Sequence, residues 1–167
     1  MKLYHGGPVS VPQPEIRPPA AGRTLDFGAG FYATTSLEQA RRWVALRRRR
    51  GESADGYVSV YDIADDILAH PGLKCLVFPA ADRAWLEFVM RNRGDPFADH
   101  GFDIVSGPVA NDRVFATLTL FETGQLDAGE TIRRLKTYRL VDQFLFHTPK
   151  ALEFLEFAGS EAVHAGE

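Results

Sequence analysis

A chain of 167 residues with a net charge of −3 has no general electrostatic drive toward nucleic acid or an anionic membrane surface. Hydrophobic residues make up 45% and charged residues 25%, the balance of a water-soluble globular domain, and one core at this length removes about two thirds of the unfolded surface from water. Cys75 is the single cysteine, which excludes an internal disulfide and a thiolate zinc cluster and fits a reducing cytoplasm.

Lys2 to His5 alternates polar and apolar residues and stops at Gly6-Gly7-Pro8, which predicts a first strand closed by a turn. Residues 8 to 24 carry Pro8, Pro12, Pro14, Pro18 and Pro19, a density no regular element tolerates, so an extended surface segment or a flap over a site is expected. Leu25 to Gly30 reads as a glycine loop, with Asp26 placed to fix it through backbone hydrogen bonds. Phe31 to Thr34 follows as the second strand. Thr35 and Glu38 form a capping box for a helix whose apolar residues Leu37, Ala40, Trp43 and Val44 recur at helical spacing until Gly51. Gly56 to Ile63 alternates with period two and predicts a half-buried strand, and Leu73 to Phe78 is a further strand-length run. Ala80 to Arg93 predicts a helix with Trp85, Phe88 and Val89 inward. Phe102 to Val105 predicts a central strand, with Ser106-Gly107-Pro108 as the turn after it. Residues 112 to 122 and 128 to 139 predict two helices, Gln143 to Thr148 a late strand, and Pro149 to Leu155 a short helix. The order predicts an α+β domain with mostly antiparallel strands over residues 1 to 159, and a flexible tail over 160 to 167.

Fifteen of the nineteen basic residues are arginine, and Arg41, Arg42, Arg47, Arg48, Arg49 and Arg50 crowd one helix and its end. A solvated face complementing the helix dipole explains that cluster more simply than a phosphate site. Cys75, flanked by Leu73, Leu76 and Val77, reads as a small core residue rather than a nucleophile. The N-terminal residues lack a signal peptide's apolar core, and no run approaches the ~20 apolar residues of a membrane helix. A cytoplasmic protein with no membrane partner is therefore expected.

Several motifs fail on context. Asp26-Phe27-Gly28 copies a kinase magnesium triplet without the phosphate loop or catalytic loop that must accompany it. Gly28-Ala29-Gly30 lacks the third glycine and the βαβ setting of a dinucleotide fingerprint. The five histidines show no metal-ligand spacing, so no metal is expected. What remains is a constellation of His5 at the end of one strand and the aromatic pair Phe31-Tyr32 entering another. Taken singly, His5 reads more simply as a structural hydrogen bonder and Tyr32 as a core aromatic.

Tyr4-His5-Gly6, the Gly-Phe-Tyr-x-Thr-Thr-Ser stretch from Gly30 to Ser36, and a late strand opening at Gln143 together resemble the ADP-ribosyltransferase fold. More closely, nearly the whole chain resembles a bacterial family of uncharacterised domains known as DUF3990. Leu3 to Gly6, Asp26 to Tyr32, Thr34-Thr35, Gln39-Ala40, Trp85, Asn92-Arg93, Asp103 to Val105, Gly107 to Asp112, Gln143 and Phe146-His147-Thr148 carry that likeness. The resemblance implies a mostly antiparallel split β-sheet core with flanking helices and NAD as co-substrate. It implies His5 on the adenosine ribose, Gly6 holding the nicotinamide carboxamide through its backbone, and Tyr32 stacked on nicotinamide with Phe31 and Thr34 beside it. A ring stack of that kind predicts that Tyr32→Ala loses much more activity than Tyr32→Phe, because stacking needs the ring rather than the hydroxyl. Where active transferases of the diphtheria-toxin-like branch carry a glutamate, this chain has Gln143, which bonds a hydroxyl but brings no charge. Asp112 either supplies that charge or caps the helix starting beside it. Arg93 suits either the pyrophosphate of NAD or an ion pair with Asp95 or Asp103.

The function implied is mono-ADP-ribosyl transfer from NAD to a protein or nucleic acid, as the toxin of a bacterial toxin–antitoxin pair with a cognate antitoxin as partner. NAD glycohydrolysis and a catalytically silent nucleotide- or partner-binding module are the alternatives, the last kept open by Gln143.

Overall fold

The computed structural model describes residues 1–17, 25–49, 51, 55–95, 97–109, 112–138 and 140–164, and of Asp112 and Arg113 only the backbone. The chain runs β1 (Lys2–Gly7), β2 (Phe31–Thr34), α1 (Leu37–Arg49), β3 (Tyr57–Asp62), a 3-10 turn (Ile67–Ala69), β4 (Cys75–Val77) and α2 (Arg83–Gly94). It continues through β5 (Ile104–Pro108), α3 (Asp112–Glu122), α4 (Ala128–Leu135), β6 (Asp142–Phe146), α5 (Pro149–Leu152) and β7 (Glu156–Ala162). All seven strands form one open sheet in the order β4-β5-β6-β2-β1-β3-β7. Among the described residues only β4 and β5 run parallel, and every other pairing is antiparallel. The α+β class with a mostly antiparallel sheet is what the order of elements predicted.

The sheet is strongly knit in two halves and thinly joined. β1 pairs with β3 from Lys2↔Asp62 to Gly7↔Tyr57, and β2 with β6 from Phe31↔Phe146 to Thr34↔Gln143. Between the halves the register of β1 and β2 is the single pair Tyr4↔Thr34. Neighbours along a strand alternate faces, so each half presents two apolar surfaces. One face gathers Leu3, Phe31, Ala33, Tyr61, Ile104, Phe144 and Phe146 under Ile67, Leu73 and Ala151. On the other, α2, α3 and α4 cover Val105 and Leu145 with Trp85, Val89, Val114, Leu118 and Leu135. There α1 covers Val58 with Ala40 and Val44.

Several boundaries move, each for a local reason. Gly6 and Gly7 continue β1 instead of ending it. A Cβ on Gly6 would lie 2.1 Å from the Ala40 carbonyl oxygen, so glycine there lets α1 lie directly on the strand. The cap of α1 is Ser36, whose Oγ accepts from the Gln39 N–H at 3.1 Å, while Thr35 is exposed and Thr34 Oγ1 accepts from the Ser36 N–H. Ser106-Gly107-Pro108, expected as a turn, pairs with Phe144, Gln143 and Asp142 inside β5. That strand sits second from the sheet edge, and β2 holds the centre. The expected flexible tail is also corrected. Ser160 to Ala162 end β7, whose backbone pairs along β3, and the Val163 N–H bonds Gly56 O at 2.8 Å with Val163 buried; residues 165–167 lie outside the described residues. Of the proline-rich segment, residues 8–17 are described. Val11 is tied to β3 by its N–H to Ser59 Oγ and by the Tyr61 hydroxyl donating to its carbonyl.

The arginines of α1 are largely engaged locally: Arg41 with Glu161, Arg42 with Glu38, and Arg48 with the Val163 carbonyl. Cys75 is half-buried on β4 against the first core, and burial followed by the Asp103 charge raises its thiol pKa, so it stays protonated at neutral pH.

Candidate functional site

The candidate residues cluster where the two halves of the sheet join. Because cross-strand partners share a face, Tyr4, Thr34 and Gln143 lie on one side, and alternation adds Gly6 and Tyr32 to it. His5 and Phe31 fall on the opposite side by the same alternation. The structure therefore brings Gly6, Tyr32, Thr34 and Gln143 together and sets His5 with Phe31 apart.

His5 is held in one tautomer. Its Nδ1 lies 2.6 Å from the Tyr32 carbonyl oxygen, which can only accept, so Nδ1 carries the proton and Nε2 the lone pair. This bond occupies a carbonyl just beyond the Tyr4↔Thr34 pair, where the ladder between β1 and β2 gives out. The ring also stacks on Phe31 with centroids 4.5 Å apart. Burial, helped by the Arg47 charge and opposed by the Tyr32 carbonyl, pushes the His5 pKa down to about 4, so the ring is neutral at physiological pH.

Tyr32 has a task the sequence did not reveal. Its ring packs against the core under α2 to α4, and its hydroxyl donates to Gly28 O at 2.6 Å while accepting from the Phe27 N–H at 3.2 Å. Burial and the Asp26 charge raise its pKa well above the ordinary value, which keeps the donor in place. His147 Nδ1 bonds Ala29 O at 2.7 Å from the other side. Gly28, at φ 90°, has no room for a side chain, since a Cβ would lie 2.9 Å from Asn92 Oδ1. The loop Asp26–Gly30 is thus clamped atom by atom. Tyr32→Phe is expected to leave a part-buried N–H and C=O without their partner and to destabilise the fold by about 1–3 kcal/mol. Urea unfolding measures this, and an unchanged midpoint would show that the hydroxyl does not hold the loop.

Arg93 ends α2 as a structural ion pair, though not with the residues expected. Its Nε meets Glu122 Oε1 at 2.8 Å and its Nη1 meets Asp26 Oδ1 at 3.4 Å, with the guanidinium 4.4 Å above the Phe115 ring. The side chain is only 4% exposed, so it faces protein rather than a pyrophosphate. Asp103 is occupied elsewhere, accepting from the Lys74 N–H and from Thr148 Oγ1. Asp112 opens α3, and its side chain lies outside the described residues.

Among the described residues Arg48 Nε, Asn92 Oδ1, His100 Nε2 and Gln143 Nε2 are buried without a hydrogen bond, and of these Gln143 alone belongs to a strand of the sheet junction. It is 3% exposed, sits between Thr34 and Gly107 in the register, and its Nε2 makes no hydrogen bond. Thr34 Oγ1 is spoken for, donating to Asp142 O at 2.7 Å. A shallow open cleft of about 540 Å³ lies between Pro12–Ile16 and the α5 region, and no candidate residue lines it. Sequence reading missed His147 as a loop anchor and Asn92 as the side chain packed against Gly28. Their only signal was membership in the shared motifs Asn92-Arg93 and Phe146-His147-Thr148. Among the described residues no group of three His, Cys, Asp or Glu is arranged to hold a metal ion, and no helix is long and apolar enough to cross a membrane.

Residues 1–157 match the family model described as a protein of unknown function, DUF3990, and the chain belongs to that family. No curated protein matches it.

Proposed function

With membership of that family as the premise, we propose that the chain is an NAD-dependent mono-ADP-ribosyltransferase acting on a macromolecule. The observation that carries this reading is the Gln143 amide. A buried N–H with no acceptor costs about 1–3 kcal/mol, and a ligand hydroxyl is the partner that would recover it. The ADP-ribosyltransferase-like fold belongs to the same proposal, supported by the mostly antiparallel sheet thinly joined between β1 and β2.

In this reading NAD lies along that junction, where Tyr32 contributes to both sides through its carbonyl on His5 and its ring on the Gln143 face. Neutral His5 offers the Nε2 lone pair to an adenosine ribose hydroxyl. Gln143 donates to the hydroxyl of the nicotinamide ribose. The bond from C1′ to the nicotinamide nitrogen breaks with its electron pair leaving on nicotinamide, an acceptor nucleophile bonds to C1′, and that nucleophile loses its proton. Positive charge developing on the ribose needs stabilisation that an amide supplies only through its dipole. Arg93 serves by fixing the Asp26–Gly30 loop beside this region rather than by touching the ligand. On resemblance alone, the reading extends to a toxin held in check by a cognate antitoxin.

The second reading, a catalytically silent nucleotide- or partner-binding module, is favoured by the uncharged amide at position 143. One experiment separates them: purified protein is incubated with labelled NAD and cell lysate, and nicotinamide release and label transfer are followed. Transfer is the expected result. Release without transfer means a glycohydrolase, and neither means the silent module. Calorimetric titration is expected to show NADP binding more weakly than NAD, because a 2′-phosphate meets the His5 lone pair. Equal affinities would overturn the placement of the adenosine ribose.

A further inference from the structure

We propose that Gly7 is a specificity-determining residue of the NAD site, kept as glycine so that Nε2 of His5 can accept a ribose hydroxyl. The inference rests on the NAD reading above and adds a residue to it. Gly7 lies two positions beyond His5 and shares its sheet face. A Cβ on Gly7 would lie 3.1 Å from His5 Nε2, closer than such atoms normally pack, with His5 Cδ2 in ordinary contact at 3.5 Å. Gly7 is itself buried, so the room a methyl would take is room at the ring edge.

Nothing else in the strand calls for glycine there. The φ of Gly7 is not positive, and its backbone pairs in register with Tyr57 like any strand residue. Gly6 has the close approach of α1 to account for it; Gly7 has no helix above it closer than the His5 ring and the Val9 carbonyl at 3.6 Å. A strand glycine weakens a fold relative to alanine, so its presence needs a reason. The His5 ring cannot turn aside to make space. Nδ1 is bonded to the Tyr32 carbonyl and the ring is stacked on Phe31. A neutral lone pair in that position takes a hydroxyl hydrogen and disfavours an anionic phosphate oxygen, which defines the ligand group as an unphosphorylated ribose.

The test is calorimetric titration of wild type, Gly7→Ala, His5→Asn and the double variant with NAD and with nicotinamide mononucleotide, which lacks the adenosine ribose. His5→Asn keeps an N–H for the Tyr32 carbonyl while removing Nε2. Gly7→Ala is expected to weaken NAD about tenfold, the value of one hydrogen bond, and to leave nicotinamide mononucleotide unchanged. In the His5→Asn background, Gly7→Ala is expected to change nothing further. Equal NAD affinity of wild type and Gly7→Ala, or additive losses in the double variant, would overturn the role of Gly7 while leaving NAD binding standing. Wild type that binds no NAD would instead overturn the underlying reading, and the proposal with it. Thermal melts of all four proteins show whether each is folded, and the nicotinamide mononucleotide arm reports an intact site independently.

Discussion

Arg93→Ala is expected to destabilise the fold by about 3–5 kcal/mol, as the removal of one partner from a buried ion pair does. The guanidinium is 4% exposed and meets two carboxylates, Asp26 at 13% and Glu122 at 36% side-chain exposure. Without it, Asp26 keeps its desolvation and loses a cation, and Phe115 loses the flat charge 4.4 Å above its ring. Arg93→Lys is expected to restore only part, because one ammonium cannot span both carboxylates and stack on a ring at once. The loss should reach past stability. Asp26 begins the clamped loop, so amide hydrogen exchange at Phe27 is expected to speed up even where the molecule stays folded, since the Phe27 N–H depends on the Tyr32 hydroxyl holding its place. Urea unfolding of the two variants settles the magnitude. An unfolding free energy within about 0.5 kcal/mol of wild type for Arg93→Ala would mean that Asp26 and Glu122 relax into water and that the bridge is incidental.

What the sequence made legible follows from how local each signal is. The capping pattern, the period of α1 and the alternation of β3 are read within one element, and they survive in the structure with shifts of one or two residues. Partners across the fold are not local. Arg93 was recognisable as a charged residue in need of a bridge, yet whether it met Asp95, Asp103 or Asp26 depended on how α2 lies against α3 and the glycine loop. Ser106-Gly107-Pro108 has the residues of a turn, and only pairing with β6 makes it strand. β7 was missed for a similar reason. Glu156-Phe157-Ala158-Gly159-Ser160-Glu161-Ala162 has little apolar alternation, and its strand character comes from the exposed edge of β3, with Phe157 against Tyr61 at 5.9 Å.

The same limit applies to the candidate site. Position along a strand fixes which face a residue takes, and so Tyr32 and Gln143 could be grouped from register once the pairing was known. The hydroxyl of Tyr32 could not, because its partners Phe27 and Gly28 lie on a loop that turns back only through Gly28 and Gly30 at positive φ. His5 was legible as a polar residue of the first strand, though not as an interior one, since β1 continues through Gly7. Its tautomer was not, since that follows from one carbonyl on the neighbouring strand.

The largest functional effect is expected at Gln143, and it should run opposite to the effect on stability. A buried amide whose Nε2 has no partner is a liability to the fold. Gln143→Leu keeps the volume and removes the unsatisfied group, so it is expected to raise stability by about 1 kcal/mol. If the amide is there to bond a ribose hydroxyl and hold the ribose as nicotinamide leaves, the same substitution is expected to lower kcat about tenfold, the value of one positioning hydrogen bond. Affinity for NAD is expected to fall by no more than the same factor, since one hydrogen bond is at stake. Gln143→Glu adds the carboxylate that the proposed transferase chemistry calls for. Burial at 3% exposure raises the pKa of such a group, so its gain in NAD hydrolysis is expected to grow with pH as the carboxyl ionises. Steady-state kinetics and urea unfolding on the three proteins decide the matter together. A Gln143→Leu protein that is more stable and equally active would remove this residue from the site. Wild type without activity and Gln143→Glu with it would identify a binding module that needs only a negative charge to turn over NAD.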